Sequence, residues 1–151
     1  MSWIFAFTFI LISFKLVSDY FEKKRLNKLK KKHIENWGQP KKDNYFNFHN
    51  IGKYFENNRH KESAFHIISE KTQLDLDVNE LFKFIDRTSS KIGQQYLYFK
   101  LRTIVNKREL YKFSKLVDVF NKNKLLRLNC QLLLSSLNKN DTYDLEELIN
   151  W

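Results

Sequence analysis

Apolar residues recur at helical spacing over the second half of the chain. Val78, Leu81, Phe82 and Ile85 share one face of an expected helix. Asp77 stands at its start with Glu80 three residues on, which is capping-box spacing with Asp in place of Ser or Thr. Thr88, Ser89 and Ser90 interrupt the pattern and offer caps for a second helix carrying Ile92, Tyr96, Leu97, Phe99 and Leu101. Two helices joined by so short a turn make a helical hairpin. Gly93 falls one turn into the second helix, where glycine costs about 1 kcal/mol relative to alanine. Close approach of the first helix is the expected reason. The expected hairpin core is Leu81, Phe82, Ile85, Ile92, Gly93, Leu97 and Leu101.

The pattern continues on both sides. Asn106 is placed to cap a third helix, with Glu109 at capping-box spacing and Leu110, Phe113, Leu116, Val117 and Phe120 along one face. A fourth helix is expected over about 122–137, then a polar turn at Asn138 to Asp141 and another helix starting at Asp144. No stop signal follows Leu148, Ile149 and Trp151, so a fragment or truncated reading frame is expected. Upstream, Phe65 to Ile68 reads as a short strand or irregular lead-in. Tyr45, Phe46, Phe48, Tyr54 and Phe55 alternate with Lys41, Lys42, Lys53, Arg59 and Lys61. Such interleaving suits stacking on single-stranded nucleic acid, but no strand pattern of a nucleic-acid fold accompanies it. A short helix near 50–57 with its rings docked on the core is the expectation.

The N-terminus is different. Trp3 to Phe14 is apolar apart from Thr8 and Ser13, and a span of about 20 residues is reached only if Lys15 snorkels to an interface. There is no basic leader and no small-residue cleavage site. An uncleaved transmembrane anchor over residues 1–18 is therefore expected. Lys23, Lys24, Arg25, Lys28, Lys30, Lys31 and Lys32 follow it directly. They place the chain in the inner membrane as a single-pass protein with its N-terminus out and the rest cytoplasmic. Nine Lys/Arg against two Glu between Glu22 and Lys42 supply +7 of the net charge of +10. Anionic lipid is the expected partner of this basic juxtamembrane patch, ahead of DNA phosphate. Gly38 and Pro40 end the helix that carries it. The chain thus divides into the anchor at 1–18, a basic helix and aromatic-rich linker at 19–62, and an incomplete helical domain at 63–151.

The run FKFIDRTSSKIGQQYLYFKLRTI, Phe82 to Ile104, resembles the start of the central helical core, or lever, domain of the MutS family of DNA mismatch-repair ATPases. There a helix ends in a Leu/Ile-Asp-x-Thr-like segment, a turn and a glycine follow, and the next helix carries a Leu-rich face. Ile68 to Leu76 is similar to the lead-in of that helix, and Asn106 to Phe120 to the helix packed back on the core. The resemblance implies a mainly α fold whose helices couple ATP state to DNA binding in a parent protein. It also implies ATP and Mg only in a downstream module, DNA contact through that parent, and homodimerisation only of a full-length protein. The class that competes with it is a membrane-tethered helical adaptor with no DNA or nucleotide role.

Catalytic chemistry is not indicated. None of Gly38, Gly52 and Gly93 begins a phosphate loop, and no Phe-x-Glu mismatch wedge is visible. His33, His49, His60 and His66 lack metal-ligand spacing. Asp75, Asp77 and Asp86 are expected to cap helices or pair locally, Asp86 with Arg87 or Lys83. Cys130 lies in LLRLNCQLLL and is expected to be a buried thiol. No catalytic, cofactor-binding or metal-ligating residue is assigned, and this chain is not expected to be an enzyme.

Overall fold

The computed structural model describes residues 2–41, 45–62, 64–145 and 148. Lys42, Ser63, Ile149 and Trp151, which enter the sequence reading, lie outside them. The chain is mainly helical. It forms two compact units, Met1–Trp37 and Gly38–Trp151.

The first unit is one unbroken helix, α1 (Ser2–Glu35). The expected transmembrane anchor at residues 1–18 is overturned, and with it the single-pass, N-terminus-out placement. No helix among the described residues is long and apolar enough to cross a membrane. The reason lies in length. Trp3 to Phe14 is twelve residues, about 18 Å of helix at 1.5 Å per residue, against a hydrocarbon core of about 30 Å. Lys15 and Asp19 then enter the same helix before that distance is covered. The basic residues from Lys23 to Lys32 continue along α1 and are exposed.

The second unit begins earlier than residue 63, because the aromatic stretch belongs to its core. Helix α2 (Phe48–Glu56) is capped by Asn47, whose side chain accepts from Asn50 N. The short α3 (Asn58–Lys61) follows. Strand β1 (His66–Ile67) precedes α4 (Glu70–Asp75), which starts on a Ser69 cap. The hairpin expected from the sequence is formed by α5 (Val78–Ile85) and α6 (Lys91–Arg102). Strand β2 (Thr103–Ile104) runs antiparallel to β1, with His66 opposite Ile104 and Ile67 opposite Thr103. Two further helices follow, α7 (Lys107–Lys122) and α8 (Lys124–Ser135), and then a 3-10 turn at Asn140–Asp144. Asn106 caps α7 as expected, accepting from Glu109 N at 3.0 Å. The Glu109 side chain completes no box. It accepts from Lys112 instead.

Helix α6 is the axle. It packs on α2, α5 and the 3-10 turn. The core comprises Ile51, Val78, Phe82, Tyr98 and Tyr143, with Phe46, Phe48, Ile68, Leu97 and Leu101 packed against it. Phe46 and Phe48 meet the Phe82 ring edge-on, each at 5.8 Å between centroids, a favoured aromatic geometry. Tyr54 meets Phe99 in the same way at 5.3 Å. The rings of this stretch are thus docked, apart from Tyr45, which is exposed. Tyr98 joins three helices: its hydroxyl donates to Asn79 Oδ1 and accepts from Gln73 Nε2. The Arg102 guanidinium lies 3.5 Å from the Phe55 ring centre, a cation–π contact.

Of the expected hairpin core, Phe82 is fully buried, while Leu81 is exposed and Ile85, Ile92, Gly93, Leu97 and Leu101 are half-buried. Gly93 has a different constraint from the one expected. A Cβ there would lie 2.8 Å from Ser90 Oγ and 3.2 Å from Thr88 Cβ, so the α5–α6 turn, not α5 itself, leaves it no room. Ser90 Oγ accepts from Gly93 N at 3.0 Å as the α6 cap. A side chain at residue 93 displaces that cap. Gly93→Leu is therefore expected to lower the thermal midpoint and to unwind the first turn of α6, with a loss of about 1–2 kcal/mol from the cap alone. An unchanged midpoint and unchanged helix content in circular dichroism contradict this account.

Candidate functional site

The most unusual chemistry in the second unit is a carboxylate with no exposure to water. Asp86 ends α5, where its backbone N–H donates to Phe82 O, and its side chain is buried. A buried charge is strongly destabilising unless it is paired and hydrogen-bonded. Here both oxygens are filled. Oδ1 accepts from Thr88 N at 2.9 Å and from Thr88 Oγ1 at 2.6 Å. Oδ2 accepts from Lys41 Nζ at 2.7 Å and from Gln94 Nε2 at 2.8 Å. The expected local pairing with Arg87 or Lys83 does not form. Arg87 donates to the Phe84 and Asp86 carbonyls, and Lys83 pairs with Glu80. The partner comes from 45 residues upstream, because a short turn directs the carboxylate inward, away from its own helix surface.

The network extends through Gln94. Its Oε1 accepts from the Tyr143 hydroxyl at 2.7 Å. The neighbouring Gln95 is fully buried, and its Nε2 donates to Asn50 O and Tyr143 O at 2.9 and 3.0 Å. Its Oε1 has no partner among the described residues. Two adjacent glutamines thereby clasp the end of α5, the start of α2 and the 3-10 turn. Lys53 adds a more exposed ion pair to Asp144 at 2.5 Å. Thr142 seals the turn, its hydroxyl donating to the Leu137 and Lys139 carbonyls.

Protonation follows from this geometry. Burial pushes the Asp86 carboxyl up, but the bonds from Gln94, Lys41 and Thr88, with the Lys41 charge, outweigh it and hold the pKa below the ordinary carboxylate value. Burial, and then the Asp86 charge, push the Tyr143 phenol up to about 12. It stays a neutral donor. Asp86 is therefore an anion at neutral pH with every acceptor direction occupied. It has no free lone pair to act as a base or ligate a metal.

The other residues singled out in the sequence do not join this cluster. Asp77 precedes α5 but makes no side-chain cap bond and sits in the left-handed region at φ 45°. Asp75, Glu80, His49 and His66 are exposed, and Cys130 is half-buried where a fully buried thiol was expected. No group of three or more His, Cys, Asp or Glu is placed to hold a metal ion among the described residues. What sequence reasoning missed is Lys41, Gln94, Gln95 and Tyr143. The one available signal is the Gln94-Gln95 pair inside an otherwise amphipathic helix.

Asp86→Ala leaves Lys41, Thr88 and Gln94 without their acceptor. Its expected cost in urea unfolding is about 3 kcal/mol. Asp86→Asn keeps one acceptor and is expected to lose about half as much. Because the folded carboxyl is the stronger acid, the unfolded chain binds the proton more tightly. The wild-type contribution is full above about pH 4 and is lost as pH falls through the lower folded value. Asp86→Asn is expected to remove that acid-limb dependence, and parallel acid titrations of the two proteins contradict it. Tyr143→Phe leaves Gln94 Oε1 buried and unpaired, and a loss of about 1–2 kcal/mol is expected by the same measurement.

No family model matches the chain, and no curated protein and no solved structure matches it.

Proposed function

We propose that the second unit is a mechanical element of the MutS-like kind, a packed helical piece that passes conformational change along a larger ATPase and performs no chemistry of its own. The observation that carries this reading is the turn between α5 and α6. The segment Ile85-Asp86-Arg87-Thr88, the one that resembles the family's helix end, holds the buried anion that ties α5, α6 and the 3-10 turn to Lys41. Coupling by rigid elements needs such an over-determined joint, since a loose hairpin would absorb a displacement instead of passing it on. The occupied acceptors of Asp86 fit a structural role better than a catalytic one. On this reading ATP and Mg bind a module outside these residues, and DNA contact belongs to the whole protein.

A second reading is a helical adaptor with no DNA or nucleotide role. One observation favours it: α7 and α8 contain no buried residue, although both carry apolar faces, which suits a surface for another protein.

Reading the gene past the Trp151 codon separates the two. An in-frame Gly-x-x-x-x-Gly-Lys-Ser/Thr loop is the expected result. A stop codon directly after Trp151 removes the MutS-like reading and leaves the adaptor.

A further inference from the structure

Helix α1 divides its apolar and basic residues along its axis, not between its faces. Phe7, Phe9, Ile10, Leu11, Ile12 and Phe14 are all exposed, Phe9 at 71% and Phe14 at 74%. At about 100° per residue, Phe9 to Ile12 alone point in four directions spread over about 300° of the helix. The Ser13 hydroxyl donates to Phe9 O at 2.8 Å, so its polarity is answered within the helix. Further along, the stretch from Lys23 to Lys32 carries seven basic side chains and no acidic one.

We propose that α1 binds the surface of an anionic lipid bilayer, its apolar stretch sunk into one leaflet and Lys23 to Lys32 on the headgroups, without crossing. The all-round apolar surface selects this occupant first. A groove on a protein covers one side of a helix, whereas a fluid hydrocarbon phase covers every side. The ends of the stretch agree. Trp3 opens it and Lys15 closes it, and an indole and a long-stemmed ammonium both settle at headgroup level. The cations then supply the second of the two attachments that stable binding to a membrane surface needs. A second copy of α1 fits less well. Aligned parallel, it sets Lys23 to Lys32 against the same cations; aligned antiparallel, it sets them against the apolar stretch. Nucleic acid answers the lysines and leaves Phe7 to Phe14 in water. The inference stands apart from the MutS-like reading, since it uses only the first unit.

The test is flotation of the full chain with vesicles of phosphatidylcholine alone and of phosphatidylcholine and phosphatidylserine in equal parts. The chain is expected to float with the anionic vesicles at least about tenfold more tightly than with the neutral ones, and less so as salt is raised. Lys28→Glu, Lys30→Glu, Lys31→Glu together are expected to abolish that preference. Phe9→Ser, Ile12→Ser together leave the charge unchanged and are expected to weaken binding to anionic vesicles at least about tenfold, with the circular dichroism unchanged. Equal binding to both vesicles, or serine variants that float like the parent, overturns the proposal. A chain that self-associates and leaves both vesicles untouched assigns α1 to a second copy and also overturns it. Duplex DNA that strips the chain from anionic vesicles does the same in favour of nucleic acid.

Discussion

A single buried anion sets the terms for the second unit. Asp86 is withdrawn from water, so its charge must be answered inside the protein. The donors come from three places: Lys41 ahead of α2, Thr88 in the adjoining turn, and Gln94 on α6. Gln94 is held in turn by Tyr143. None of these contacts is replaceable by a neighbour in sequence. An arrangement of α5, α6 and the 3-10 turn that misplaces one of them leaves a charge or a polar atom buried and unpaired. The network therefore acts through the penalty it places on alternatives. Its net stabilisation over a well-packed apolar core is small by comparison.

The second glutamine works by the same logic on neutral groups. Gln95 donates from one nitrogen to two backbone carbonyls, on Asn50 and Tyr143. It thereby fastens α2 and the 3-10 turn to the same turn of α6. The aromatic rings then fill the space these bonds define: Phe46, Phe48, Phe82 and Tyr98 interlock around Ile51 and Val78. Packing supplies the larger share of the free energy. The polar clasp selects which packing occurs.

Much of the helical framework was legible in the sequence because its signals are local. Ser90 and Asn106 are caps whose partners lie three residues away, and α5 through α8 follow from periodicity between them. The buried face of α6 was not legible. The aliphatic positions Ile92, Leu97 and Leu101 mark one side, but Gln94, Gln95, Tyr98 and Phe99 are the buried ones. Gln94 is met by Asp86 eight residues back, but its other partner, and both acceptors of Gln95, lie 45 to 49 residues away, and no local window contains that fact. The pairing of Thr103–Ile104 with His66–Ile67 is hidden for the same reason. Asp77 misleads differently: its residue type suits a cap, while its backbone serves as the left-handed link between α4 and α5. The N-terminal helix was legible as a helix but not as a span, because a charge at Lys15 matters more to crossing hydrocarbon than to forming the helix.

The partition of polar and apolar residues in the second unit is partly inverted, and this bears on how its regions hold together. Around α6 a charge and two amides lie inside, while on α7 and α8 the leucines lie outside: Leu125 is 68% exposed and Leu133 is 74% exposed. Solvent-facing apolar residues scattered singly need no explanation, but a contiguous set on two helices does. Short-range order in α7 and α8 comes from their Asn106 and Asn123 caps and from their contact with each other. With no side chain fully buried, these helices depend least on the Asp86 clasp and open at the lower end of the local stability range. Covering this apolar surface would gain area while displacing little native packing. The bonds of the clasp run among Lys41, Asn50, Asp86, Thr88, Gln94, Gln95 and Tyr143, none of them on α7 or α8, so opening of the outer pair leaves them in place.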